Sequence, residues 1–145
     1  MEDIKKLVKE VLEKGYLMSL GTMDDGGVWV CDVIYVFDDD LNIYWMSKDF
    51  RRHSKTIEKN PQVAAAITVS ARDEKDFGIQ IEGRAVAIKE KRHDLQVPYF
   101  TKRGQITPKE GEDFLGEHVW YQLKPKRIEL ICPERFGFEK QKLEF

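Results

Sequence analysis

The chain has 145 residues, 41% of them apolar and 34% charged, with a net charge of −2. That length supports one soluble domain, residues 1–145, with a modest core that dimerisation can enlarge. The balanced charge argues against a general nucleic-acid binder, which is basic overall, and no apolar run approaches the ~18–20 residues that span a bilayer.

"MEDIKKLVKE" opens a charged amphipathic segment. Ile4, Leu7, Val8, Val11 and Leu12 recur at helical spacing over residues 2–14, and Gly15 is expected to end the helix in the left-handed region. The segment lacks the apolar centre of a signal peptide. Cys31 and Cys132 form no CxxC pair and read as buried thiols of a reducing compartment. The expectation is a cytoplasmic protein without membrane or nucleic-acid partners.

"YLMSLGTM" reads as a strand, "DDGG" at 24–27 as a hairpin turn, "VWVCDVIYVF" (28–37) as a second strand, "DDD" as a tip and "LNIYWMS" as a third, together an antiparallel meander. Asp49 is expected to cap a helix over 50–60, with Pro61 beyond it. "QVAAAITVS" is a fourth strand and "GIQIEGRAVAI" a fifth. Two short helices are expected within 90–116, around the loop "TKRGQITP". "HVWYQL" and "RIELICP" close the fold, and "ERFGFEKQKLEF" is a last strand or an irregular arm. The pattern predicts a mainly β fold with α-helices, a small antiparallel barrel with short helices at its ends, or else an open α+β sheet.

Alternation along residues 28–37 puts Val28, Val30, Asp32, Ile34 and Val36 on one face and Trp29, Cys31, Val33, Tyr35 and Phe37 on the other. Both faces are apolar, so the outer one needs a cover. Candidates are the first helix, a partner subunit or a ligand, and a partner plus a ligand is the favoured reading. Asp32 reads as a structural carboxylate. In the fifth strand Ile79, Ile81, Gly83, Ala85 and Ala87 share the inward face, and Gly83 marks a bulge or a close backbone approach. In the fourth, Val63, Ala65, Ile67 and Val69 face the core.

The helix over 50–60 opens on Arg51, Arg52 and His53. A helix N-terminus already carries about +0.5 of an elementary charge, so each arginine there costs up to ~1 kcal/mol. A bound phosphate reverses that sign, because it accepts the free backbone N–H groups and pairs with guanidinium forks. Lys55 adds a further donor, while pairing with neighbouring acids such as Asp49 is the alternative. Met46 and Ser47 end the third strand beside this turn. A phosphate there leaves the rest of its ligand along the doubly apolar strand, which calls for a flat molecule with an anionic tail. Flavin mononucleotide (FMN) has that form.

"VWVCDVIYVFDDDLNIYWMS", "RRHSKTIEKNPQVAAAI" and "IQIEGRAVAI", in that order, resemble the pyridoxamine 5′-phosphate oxidase-like FMN-binding split-barrel superfamily, nearest its small general-stress-protein branches. The resemblance implies a six-stranded split barrel that forms a homodimer with FMN between subunits. It places Cys31 to Val36 beside the flavin ring, Val33 and Ile34 offering backbone contacts, and Met46 and Ser47 near the ribityl chain or ring edge. It assigns phosphate binding to Arg52 and His53, with Arg51 and Lys55 as helpers. His53 stands where Lys is more usual, which implies pH-dependent phosphate binding. Gln80 is the candidate ring contact; the oxidases carry their glutamine two residues earlier, at the position of Gly78, on the same strand face.

The oxidases also carry a C-terminal Arg-x-His pair for the vitamin B6 substrate. Here the tail has Arg135 and no histidine, so pyridoxamine phosphate is not the expected substrate. The superfamily includes deazaflavin and heme binders, and His93 and His118 are read as ordinary histidines rather than heme ligands. Trp29, Trp45 and Trp120 read as core or interface residues. There is no phosphate-loop or dinucleotide fingerprint, no zinc spacing and no nucleophile constellation. "DDDLN" lacks the glycine and final glutamate of a calcium loop. The functional expectation is a flavin-dependent oxidoreductase acting with a small-molecule substrate or electron donor, with no metal and no assignable catalytic residue. A flavin-storing or flavin-sensing module without turnover is the alternative.

Overall fold

A computed structural model describes residues 2–109, 112 and 115–145. Helix α1 (Glu2–Lys14) leads into the hairpin of β1 (Leu17–Asp24) and β2 (Gly27–Ile34). Then come β3 (Val36–Phe37), β4 (Ile43–Lys48), α2 (Arg52–Lys59), β5 (Gln62–Thr68) and β6 (Gly78–Ile88). Helix α3 (His93–Lys102), β7 (His118–Ile131), α4 (Pro133–Phe136) and β8 (Gln141–Glu144) complete the described elements.

All pairings are antiparallel, in the order β2-β1-β5-β6-β7-β4-β3, with β8 on β7. β2 and β3 sit at opposite ends of that path, yet only Tyr35 separates them in the chain. The sheet therefore curls until its ends meet, the geometry of a split barrel. With β2 and β3 counted as one bent strand, six strands form the barrel and β8 is an addition.

Residues 28–37 are thus not one straight strand. Ile34 pairs with Leu17 of β1, whereas Val36 pairs with Tyr44 of β4. The expected meander is two hairpins joined where the chain changes partner. The two expected closing strands are instead continuous as β7. Pro125 is tolerated because the β6–β7 register shifts between Glu82 and Gly83. Gly83 is the close approach its position suggested: a Cβ there would collide with the Lys124 carbonyl oxygen.

The core is built from Met18, Leu20, Tyr35, Ile43, Trp45, Ile67, Ile79, Leu123, Ile128 and Leu130 inside the barrel. Ile4, Leu7, Val8, Val11 and Leu12 of α1 join it, and burying each contributes about 1.5–3 kcal/mol. Gly15 has no positive φ, contrary to expectation. It is small because a Cβ would collide with the Tyr35 hydroxyl. A second cluster lies outside the barrel, where Leu95 and Tyr99 of α3 pack on Val36, Tyr44 and Trp120.

Some expectations shift. Ala87 is exposed, so the inward row of β6 stops at Ala85. Only one helix of the predicted pair falls on described residues; the second lies around 109–116, of which 110, 111, 113 and 114 are outside them. Cys132 is buried, but Cys31 is only partly so. Asp32 accepts a 2.7 Å hydrogen bond from Ser19 Oγ, the structural role its position implied.

Gly83→Ala should destabilise the fold by about 1–3 kcal/mol, since the methyl displaces β7 backbone rather than a flexible side chain. Urea denaturation of the variant checks this, and an unchanged midpoint would contradict the close packing at the bulge.

Candidate functional site

The turn before α2 is built from short-range geometry. Arg51, not Asp49, is the N-cap: its backbone is extended (φ −64°, ψ 150°) and its carbonyl accepts the Lys55 N–H at 3.0 Å. No side chain caps the helix and its first turn carries no acid. Arg51, Arg52 and Lys55 are all exposed, and none makes an ion pair among the described residues. The first-turn N–H groups have no intrahelical acceptor, and three exposed cations lie at this end of the helix.

Aromatic rings flank these cations. The Arg52 guanidinium lies 4.3 Å from the centre of the Trp29 ring, and its Nη2 is 3.5 Å from the Gly26 carbonyl oxygen. Arg51 stands 5.4 Å from the Phe50 ring centre. Thr56 Oγ1 donates to Asp24 (3.2 Å) and Asn60 Nδ2 to the Met23 carbonyl (2.9 Å), fixing α2 to the β1–β2 tip. That anchoring brings Trp29 to Arg52. Sequence reasoning missed it; the one available signal was the polar inner stripe of Thr56 and Asn60 facing a turn rich in acceptors.

Strand β2 next to this turn is bare on both faces: Val28 is 75% exposed and Val30 64% on one, and Trp29 44% on the other. Helix α1, one of the covers considered, packs instead against β5, β6, β7 and β8.

The sequence matches the model of the Pyridoxamine 5'-phosphate oxidase family over residues 4–132. The chain belongs to that family. It is 25% identical over 104 residues to the UPF0306 protein plu4501 of Photorhabdus laumondii, covering 70% of this chain and 73% of that one. Among solved structures, General Stress Protein 26 from Bacillus anthracis superposes with a TM-score of 0.72 at 16% identity, covering 98% of each chain. A heme binding protein from Mycobacterium smegmatis reaches 0.72 at 11% identity, covering 97% of this chain and 57% of its own length. At such identities these structures share the family's fold alone.

Within this family fold the sequence-derived residues fall into three groups. Arg51, Arg52, His53 and Lys55 form the cationic turn, and Ser47 joins them through a 2.9 Å hydrogen bond between its Oγ and His53 Nε2. Ile34 and Met46 pack beside the second cluster, under α3, while Val33 is buried in the barrel core. Gln80 stands apart: it pairs with Ala66 and Glu129, accepts a 2.8 Å hydrogen bond from Lys140, and lies three strands from β2, roughly 14 Å at ~4.8 Å per strand. His118 Nδ1 lies 2.9 Å from the Leu115 carbonyl oxygen, so that nitrogen donates. Trp45 and Trp120 are fully buried and Trp29 alone of the tryptophans is exposed.

His53 is 8% exposed, and burial, with the Arg51 charge second, lowers its pKa below the ordinary 6.5. It is therefore neutral near pH 7 and orients Ser47 rather than adding charge. Because the unfolded chain binds the proton more readily, this histidine's contribution to stability is complete above about pH 6.5 and is lost as the pH falls toward its folded pKa. In an NMR pH titration the His53 ring should still be mostly neutral at pH 6.5, where an ordinary histidine is half protonated. A midpoint at or above 6.5 would contradict the buried hydrogen bond.

Proposed function

We propose that this chain binds FMN and acts as a flavin-dependent oxidoreductase, with Arg51, Arg52, Lys55 and the first-turn N–H groups of α2 holding the phosphate. The observation that carries this reading is the set of three exposed cations without acidic partners among the described residues, at an uncapped helix N-terminus. Such a donor set suits a dianion: the helix dipole, the free N–H groups and the guanidinium forks all favour it. Ser47, held by His53, offers its hydroxyl beside the same turn. The backbone of Val33 and Ile34, Met46 and the exposed Trp29 would flank the ring. When bound, the flavin supplies the redox chemistry, and the protein supplies position, polarity and exclusion of water.

The bare strip of Val28, Trp29 and Val30 supports a homodimer in this reading. A second copy would cover that strip and close the flavin against solvent. It would also explain how Gln80 reaches the ring, since within one chain it lies far from the cationic turn.

FMN fluorescence should be quenched on titration with the protein. Arg52→Ala should weaken FMN binding about 10–100-fold, the range of a charge-assisted hydrogen bond worth ~1.5–3 kcal/mol. An unchanged affinity would refute the placement of the phosphate. Reduction of the bound flavin by a nicotinamide cofactor, followed by reoxidation, separates an enzyme from a storage module.

Val28→Glu combined with Val30→Glu should convert the dimer to a monomer in sedimentation velocity. A wild-type protein that sediments as a monomer at micromolar concentration would overturn the homodimer.

A further inference from the structure

Strand β2 carries Trp29 on the same face as Cys31, Val33 and Tyr35. Val33 and Tyr35 enter the barrel core and Cys31 packs against it, whereas Trp29 is no part of that core and stays 44% exposed. Its ring contact is the Arg52 guanidinium, whose carbon lies 4.3 Å from the ring centre. Trp29 pairs with Thr22 in the β1–β2 hairpin, and the Thr56–Asp24 and Asn60–Met23 hydrogen bonds tie the tip of that hairpin to α2. Arg52 Nη2 also reaches the Gly26 carbonyl oxygen of the tip at 3.5 Å. The indole is therefore a fixed platform, and Arg52 is a long side chain rooted in the first turn of α2.

Arg52 has no acidic partner among the described residues. A carboxylate in place of the ring would also hold the guanidinium, but it would cancel the charge and take up the forked N–H groups. An aromatic face holds the cation through its plane and leaves the charge in place. A side chain ordered before its ligand arrives also loses less freedom on binding. Arg51 sits further from its own ring, 5.4 Å from the Phe50 centre, so the Trp29 contact is the tighter of the two.

We propose that Trp29 is a positioning residue for phosphate: it holds Arg52 at the start of α2 and so sets how strongly the site prefers a phosphorylated flavin to the unphosphorylated one. This role rests on the placement of the phosphate at the cationic turn. Within that placement, Trp29 acts on the phosphate through the arginine alone.

The measured quantity is the ratio of FMN to riboflavin affinity, because the two ligands share the ring and ribityl chain and differ in the phosphate. A contact of Trp29 with the flavin ring, or a change in subunit association, acts on both ligands and cancels in the ratio. Trp29→Ala should lower the ratio about three- to tenfold, and Trp29→Phe should retain most of it. In an Arg52→Ala background, Trp29→Ala should lower it no further. Trp45 and Trp120 are fully buried, so acrylamide quenching of the flavin-free protein reads Trp29, and Arg52→Ala should increase that quenching. The role of Trp29 is overturned if Trp29→Ala keeps the wild-type ratio while Arg52→Ala lowers it, if the two substitutions lower it additively, or if Arg52→Ala leaves the quenching unchanged. Equal wild-type affinities for FMN and riboflavin overturn the phosphate placement itself, and this role with it.

Discussion

The change of partner at Tyr35 sets the architecture. One residue separates pairing with β1 from pairing with β4, and those strands stand far apart along the sheet. The side chain that makes the switch is fully buried and tied from both sides. Its hydroxyl donates to the Leu12 carbonyl at 2.9 Å, and its own carbonyl accepts Lys102 Nζ at 2.7 Å, with that ammonium 3.4 Å from the centre of the Tyr35 ring. Burial draws the Lys102 pKa down to about 8, so the contact holds a charge that its surroundings partly disfavour. Helices α1 and α3 thus grip the point where the sheet closes. The absence of a side chain at Gly15 lets α1 come near enough to do so.

Closure of the barrel decides what the cationic turn can touch. The β1–β2 tip is brought against α2, and the Asp24 and Asn60 hydrogen bonds keep it there. Arg52 then lies on Trp29 instead of pairing with an acid. The guanidinium sits over the exposed Trp29 ring and spends one N–H on the Gly26 carbonyl, leaving the others without an acidic partner among the described residues. Asp24, at the β1–β2 tip, is engaged by Thr56 and by the Gly26 N–H.

Much of this was legible in the residue pattern. Periodicity located α1 and most strands, and the position of Gly83 announced the bulge. The cations at 51 and 52 marked a basic helix start. What stayed hidden depends on tertiary pairing. The break at Tyr35 leaves no local trace, because both halves of residues 28–37 alternate in the same phase. β7 reads as two strands because Lys124-Pro125-Lys126 looks like a break; a bulge at Lys126, where its pairing with β6 shifts, lets the strand run through. Asp49 satisfied the local rule for a cap but lost to Arg51, whose extended backbone alone starts the helix. For the site, the pattern grouped the cations with Ser47 but did not reveal that His53 is buried or that Gln80 lies three strands away.

The burial of His53 changes what kind of cation cluster this is. An exposed lysine at that position would add charge at the helix start, where the dipole opposes it. A buried neutral imidazole adds none and instead fixes Ser47 from beneath. Charge is then concentrated on Arg51, Arg52 and Lys55, which project outward, while the hydroxyl of Ser47 is oriented by a group whose own protonation burial and Arg51 both resist. The turn therefore keeps one electrostatic character through neutral pH, and a change would require protons to enter against both effects.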